Sequence, residues 1–302
     1  MTSTSTSTST STPTPTPRPS GPPDPNLVST QPDYRLLDLL THAVSWVADR
    51  PRLEILRSLH DGVHVAVVSP DDEYLRLCDA VGGAAIQLGA PGIRVNPLDI
   101  PAADRRPDTL TRRALFLHTL IAVLLGQQPP PAERAALDRA IMATYAAAGI
   151  SNDPASWTRP APLLRDLTAI LKADAGPAAH TLAARLSPRT QGSLRELFDG
   201  PTTDRPRGHL AVWSTRQLAD ELRAPGMLLA LDAIWRDVAL PSTPTTDHRS
   251  GHPPQVRRLI VVDDAWTLLR DGEGAKFIYR LAKAGRKRST AVAMVTRDAA
   301  GL

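Results

Sequence analysis

The sequence predicts an α/β fold, a mainly parallel sheet covered by helices, with an all-helical stretch interposed between its strands. Three observations carry this. From residue 53 onward, short runs rich in Val, Ile and Ala alternate with helix-period segments, the pattern of strands joined by crossover helices. Residues 108–198 read as helical throughout. The stretch Leu259-Ile260-Val261-Val262 then meets Asp263-Asp264 and an apolar helical start, Ala265-Trp266-Thr267-Leu268-Leu269. Four consecutive large apolar residues suit a strand buried on both faces, as parallel strands are. The carboxyl end of such a strand is where open α/β sheets place ligands.

In chain order, residues 1–32 read as a disordered Thr/Ser/Pro-rich tail, with almost no apolar surface to offset the entropy of ordering. Residues 33–302 form the second region. Asp33 to Asp49 carries Leu36, Leu37, Leu39, Leu40, Val44 and Val47 at helical spacing. Pro51 opens a helix through Leu53, Ile55, Leu56 and Leu59, stopped by Asp61-Gly62. Val63 to Val68 is a strand, and Asp71-Asp72-Glu73-Tyr74 reads as an acidic helix start. Gly82-Gly83 ends that helix, and Ala84 to Leu88 is a second strand. Helices over Thr109–Leu125, Pro131–Ala148, Pro160–Lys172 and Ala178–Leu186 predict a helical subdomain packed on the sheet. His209 to Ser214 is a strand, and a helix from Pro225 to Ala239 presents Met227, Leu228, Leu231, Ile234, Trp235 and Val238. A polar loop over 241–256 leads to the Leu259 strand, a helix through Phe277, Ile278, Leu281 and Ala282, and a last strand over Ala291–Val295.

Composition narrows the function classes. The 302 residues are 42% hydrophobic, enough for a globular core, and 35 basic against 31 acidic side chains leave a net charge of only +4. Lysines number four (Lys172, Lys276, Lys283, Lys287), and the arginines are interspersed with acids, so no electrostatic footprint for nucleic acid emerges. One cysteine, Cys78, excludes an intrachain disulfide and fits a reducing compartment, and its place beside Leu75 and Leu77 predicts packing. The N-terminus has no basic region followed by an apolar core, and the longest apolar run, Ala114–Leu125, is interrupted by His118 and Thr119. These features predict a cytoplasmic protein without a transmembrane segment.

Metal chemistry on histidine is rejected. His60 and His64 have i,i+4 spacing, but Gly62 stops the helix between them, and His248 and His252 fall in a Pro-rich loop. Asp263-Asp264 keeps two readings. Nucleotide hydrolases hold Mg²⁺ with one such acid and position water with the next, whereas Asp is also a favoured helix N-cap. The basic run Lys283 to Arg288 likewise reads as a solvated helix C-terminus, or as phosphate-contacting residues that the following strand sets beside the acidic pair.

Several stretches in order then resemble one family: Val63–Tyr74, Gly82-Gly83, Asn96-Pro97-Leu98-Asp99, the helical insert, Asp263-Asp264-Ala265-Trp266, and Gly285-Arg286-Lys287 leading to Thr296. Over residues 53–302 the chain resembles the VirB-type conjugative or type IV secretion ATPases, in their actinobacterial form. The resemblance implies a RecA-like P-loop NTPase core with a mainly parallel sheet and a helical insertion over about 108–198. It implies ATP and Mg²⁺ as cofactors, oligomerisation, and partners in the secretion or conjugation machinery at the inner face of the membrane. Position by position, it makes Asp263 the Mg²⁺ acid and places Asp264 where a catalytic Glu is usual. Arg286 and Lys287 match a basic pair that reaches phosphates or a neighbouring subunit's nucleotide, and Thr296 a γ-phosphate sensor whose following Gln is here Arg297. Ser69 replaces a usual Asp.

One departure is larger. Where the family has a Gly-rich loop ending in Gly-Lys-Ser/Thr, this chain has Thr41-His42-Ala43-Val44-Ser45-Trp46-Val47-Ala48, with no glycine and no lysine. That loop supplies backbone N–H groups, a Lys and a hydroxyl to phosphates and Mg²⁺. The family also continues past the strand that ends here at Thr296. The expectation is therefore an incomplete motor domain with weak or no ATP hydrolysis. Its alternatives are a non-catalytic structural or regulatory subunit on an intact ATPase, or a non-functional gene fragment.

Overall fold

The computed structural model describes residues 50–101, 103–203, 208–239, 256–270 and 272–296. By contacts the chain divides into Met1–Tyr34 and Arg35–Leu302. The first unit, the predicted tail and the predicted helix over Asp33–Asp49 lie outside the described residues.

Five strands form one all-parallel sheet: β1 (His64–Ser69), β2 (Ala84–Gln87), β3 (Leu210–Ser214), β4 (Arg258–Val262) and β5 (Thr290–Met294). Their order is β2-β3-β1-β4-β5, so β1 lies at the centre, with Val67 opposite Val212 on one side and Val261 on the other. Side chains alternate between two apolar layers, as strand periodicity requires. One layer holds Val68, Trp213, Ile260 and Val262, and the other Val65, Val67, Val212 and Val261. Both faces are covered at the central strands β1, β3 and β4, which is why these read as near-continuous apolar runs.

On the second layer lie α1 (Arg50–His60) and α2 (Leu75–Ala80), burying Ile55 and Cys78. Burial raises the pKa of the Cys78 thiol, as does the neighbouring Asp79 charge. Gly82 adopts φ +68 to end α2, and a Cβ on Gly83 would lie 3.0 Å from the Leu210 carbonyl. The Gly82-Gly83 pair is thus required by a left-handed turn and a close backbone approach.

The helical insertion comprises α3 (Thr109–Leu125), α4 (Pro131–Ala147), α5 (Leu164–Ala173) and α6 (Pro177–Thr190). Its core, with Leu117, Leu137, Leu164 and Leu182, is continuous with the first sheet layer. Asn96 is fully buried at the junction. Its side-chain amide donates to Asp99 Oδ1 (3.1 Å) and Pro162 O (3.0 Å), and its Oδ1 accepts from Leu98 N (3.0 Å). The Asn96–Asp99 motif is a structural clasp. The same layer is completed by α7 (Asp220–Ala239), the short α8 (Trp266–Leu269) and α9 (Gly272–Gly285).

Three predicted starts shift. The Asp71–Glu73 stretch is a turn before α2, because Asp72 accepts from Ser214 Oγ at 2.6 Å and Asp71 lies 3.6 Å from Arg216. The third insertion helix begins at Leu164, where Asp166 accepts from Leu163 N at 2.8 Å, so the two prolines before it stay extended. Conversely α7 starts at Asp220 and carries Pro225 inside it.

Candidate functional site

The carboxyl ends of β3, β1, β4 and β5 meet along one edge of the sheet. Backbone bonds continue the ladder past the strands: Thr215 N donates to Ser69 O (3.0 Å), Asp263 N to Val68 O (2.8 Å) and Ala265 N to Val295 O (3.0 Å). Ser69, Asp263, Asp264 and Thr296 therefore belong to one end of the sheet although they span most of the chain.

Asp263 is 3% exposed. Its Oδ2 accepts from Ser69 Oγ at 3.1 Å, and its Oδ1 from Asp264 N at 3.0 Å. Ser69 Oγ in turn accepts from Asp71 N at 3.2 Å, which ties the loop after β1 to the acid. Replacing Ser69 by alanine removes a bond to a charged acceptor and should cost about 1–3 kcal/mol. A thermal midpoint unchanged from the parent would refute that role for the hydroxyl.

Asp264 sits at φ +46, a left-handed conformation that Asp tolerates better than most residues. Its Oδ2 accepts from Thr267 Oγ1 at 3.0 Å. The N-cap position of α8 falls on Ala265, one residue beyond the acidic pair. Asp263 is turned inward among hydrogen-bond donors, and Asp264 is partly exposed at the strand end.

Arg286 and Lys287 are placed elsewhere. They form a 3-10 turn at the end of α9, ahead of β5, and both are exposed. The register sets Thr290 opposite Arg258, whereas Asp263 follows Val262. Five residues of strand, about 16 Å at roughly 3.3 Å per residue, separate the basic pair from Asp263 along the sheet. The expected juxtaposition within one chain does not occur. β5 starts from that turn and runs toward the acids, so the basic residues lie at its amino end. Their position at a helix C-terminus is electrostatically favourable by itself.

Ser214, Thr215 and Asp72 join the same edge and were not singled out from the sequence. Ser214 and Thr215 are fully buried, and Thr215 Oγ1 has no hydrogen-bond partner among the described residues. The sequence offers only the small hydroxyls ending an apolar run as a signal. Arg297 lies outside the described residues. His60 and His64 stand at the end of α1 and the start of β1, and among the described residues no group of three or more His, Cys, Asp or Glu could hold a metal.

Mg²⁺ is commonly held by one or two carboxylates, retained waters and substrate phosphates. Asp263 and Asp264 offer the carboxylates, but among the described residues no group is placed to meet the phosphates. The chain has no Gly-Lys-Ser/Thr, and Lys283 and Lys287 belong to the opposite end of the sheet. The described residues alone do not make up a complete site for ATP and Mg²⁺.

No protein-family model matches the sequence, and no curated protein matches it. Among solved structures, VirB4 of Thermoanaerobacter pseudethanolicus is similar over 82% of this chain, with a TM-score of 0.68 and 21% identity. That likeness establishes the fold, a parallel α/β sheet with a helical insertion. The chain spans 65% of the length of that VirB4. The plasmid coupling protein TrwB in complex with ADP and Mg²⁺ aligns over 86% of this chain and 69% of its own at 14% identity, with a TM-score of only 0.38.

Proposed function

We propose that this chain carries the motor-domain fold of a VirB-type type IV secretion or conjugative transfer ATPase without its phosphate loop, and that it hydrolyses ATP weakly or not at all. The observation that carries this is the strand-end pair Asp263-Asp264, braced by Ser69, in a sequence with no glycine-rich loop to present phosphates to it. In this reading Asp263 is the remnant of the Mg²⁺ acid, Asp264 of the water-positioning residue and Thr296 of the γ-phosphate sensor. Without a cradle, these groups have no phosphoryl group held in line, and electrostatic stabilisation in phosphoryl transfer depends on that positioning.

A second reading rests on the exposed Arg286 and Lys287 at the far end of the sheet. From there they serve a neighbouring subunit better than their own acids. The chain would then be a structural or regulatory subunit docked on an intact ATPase at the cytoplasmic face of the secretion or conjugation machinery.

Turnover of MgATP by the purified chain should equal the protein-free blank, and Asp263→Ala should leave it unchanged. Turnover that vanishes in the Asp263→Ala variant would overturn the inactive reading. The docking reading is tested by capture with an intact family member and by nucleotide-induced thermal stabilisation, since a ligand that binds only the folded state raises stability. Absence of both counts against it.

A further inference from the structure

A polar pocket of about 430 Å³ opens where the helical insertion returns to the sheet. Arg94, Gly192, Ser193, Arg195, Glu196 and Asp199 line it, and none of the strand-end residues does. Arg94 lies in the segment after β2, and backbone bonds pin it. Arg94 N donates to Thr203 Oγ1 at 3.0 Å, and Arg94 O accepts from Thr203 N at 3.1 Å. The next two residues are fixed in the same way, Val95 N to Leu197 O at 2.9 Å and Asn96 N to Thr202 Oγ1 at 2.9 Å. The stem of the Arg94 side chain crosses Gly200, where a Cβ would lie 2.8 Å from Cδ. A glycine at 200 therefore sets the path along which the guanidinium reaches the pocket.

The charges around this pocket are unevenly matched. Asp199 lies 2.8 Å from Arg165 and 3.7 Å from Arg195, so its closer partner is the arginine outside the lining. Arg94 makes no ion pair among the described residues, and its buried Nε has no hydrogen-bond partner there. Buried donors are almost always bonded, and a guanidinium is a donor only. A cation pinned in this way is suited to an acceptor from outside the chain, and its planar fork matches phosphate or carboxylate oxygens in pairs. Glu196 is exposed and forms no ion pair among the described residues. With the Ser193 hydroxyl it offers hydrogen-bond acceptors on the same pocket. No aromatic or aliphatic side chain is among the six lining residues, so nothing there stacks a base or holds a hydrocarbon tail.

We propose that this pocket binds a small hydroxylated phosphate ester of the sugar-phosphate class, with Arg94 taking the phosphate and Glu196 and Ser193 the hydroxyls. A volume of about 430 Å³ is that of a pocket for a small organic ligand, larger than a bare ion requires. Arg195, whose side chain is 58% exposed and only loosely tied to Asp199, is the second cation of the lining. The second charge of a phosphate ester answers it, and a single carboxylate has none to offer.

The test titrates the full chain by calorimetry with glucose 6-phosphate, inorganic phosphate, glucuronate and glucose. Glucose 6-phosphate should bind with a Kd below about 1 mM, and the other three roughly 10-fold more weakly or worse. Arg94→Met keeps the stem over Gly200 and removes the fork. It should weaken glucose 6-phosphate by roughly 10-fold at an unchanged thermal midpoint. Glu196→Gln, at an exposed position, should weaken glucose 6-phosphate and leave inorganic phosphate unaffected. The unaltered chain gives a reading that does not depend on a variant folding: glucose 6-phosphate should slow modification of Arg94 by phenylglyoxal, followed by mass spectrometry. No binding of glucose 6-phosphate, equal affinity in a folded Arg94→Met variant, or unprotected Arg94 would overturn the proposal. Glucuronate binding as tightly as glucose 6-phosphate would make the pocket a carboxylate site and overturn it as well.

Discussion

Asp232→Ala should lower stability by about 3–5 kcal/mol, the usual consequence of removing one partner from a buried ion pair. Asp232 on α7 is 6% exposed and Arg113 on α3 is 5% exposed. The two form a bidentate pair at 2.9 and 2.8 Å, and Arg236 Nε lies 3.1 Å from the same carboxylate. Arg236 Nη1 also donates to Asp99 O at 3.1 Å, and Tyr145 OH donates to Leu98 O at 2.8 Å. Burial pushes the Tyr145 phenol well above its ordinary range, so it remains a donor at any working pH. Without the carboxylate, two guanidinium groups stay close together in a site with little water, and the contact joining the insertion to the sheet layer is broken. The expected fall in thermal midpoint is about 6–20 °C. Replacing Arg113, Asp232 and Arg236 together by apolar residues of similar volume should be nearly neutral, because no charge is then left unpaired. A loss below about 1 kcal/mol for Asp232→Ala would mean that water reaches the pair and that the carboxylate does not hold the junction.

Trp213→Ala should cost about 3–5 kcal/mol, and Trp213→Phe less than about 1.5 kcal/mol. Trp213 is 1% exposed on β3, opposite Val68 on one side and Ile86 on the other. Truncation to alanine opens a cavity between the sheet and the helices that cover this layer. Phenylalanine keeps most of the ring volume and deletes a buried indole N–H that has no hydrogen-bond partner among the described residues, which offsets part of the lost packing. Chemical denaturation of both variants checks this. Equal losses for the two would show that the indole nitrogen contributes a bond after all.

The five described strands were legible because each is written as a run of Val, Ile, Leu or Ala, largely buried in the central β1, β3 and β4 and partly buried at the edges. Their boundaries differ from expectation by one residue at either end. Helix starts were less legible where a side chain chose between local bonds. Asp72 has the composition of a helix start, yet it is held by Ser214, 142 residues away. Pro225 suggested a first turn but is accommodated inside α7. The acidic pair was visible from its place after four apolar residues, but its partner Ser69, 194 positions earlier, was not.

The basic residues show the opposite failure. Arg286-Lys287 lies just before β5, and the strand that follows was expected to set the pair beside Asp263, or else to leave it for a neighbouring subunit's nucleotide. A parallel strand runs its whole length between its two ends, so residues that precede β5 cannot share the end where Asp263 sits. The amino-acid sequence by itself determined the layers, the strand count and the absence of a glycine-lysine phosphate loop, since burial periodicity and residue identity are local properties. The tertiary structure decided which polar groups meet: Asp263 with Ser69, Arg113 with Asp232, and neither Arg286 nor Lys287 with the acids. Those meetings depend on strand order and register, and these arise from packing over separations of more than a hundred residues.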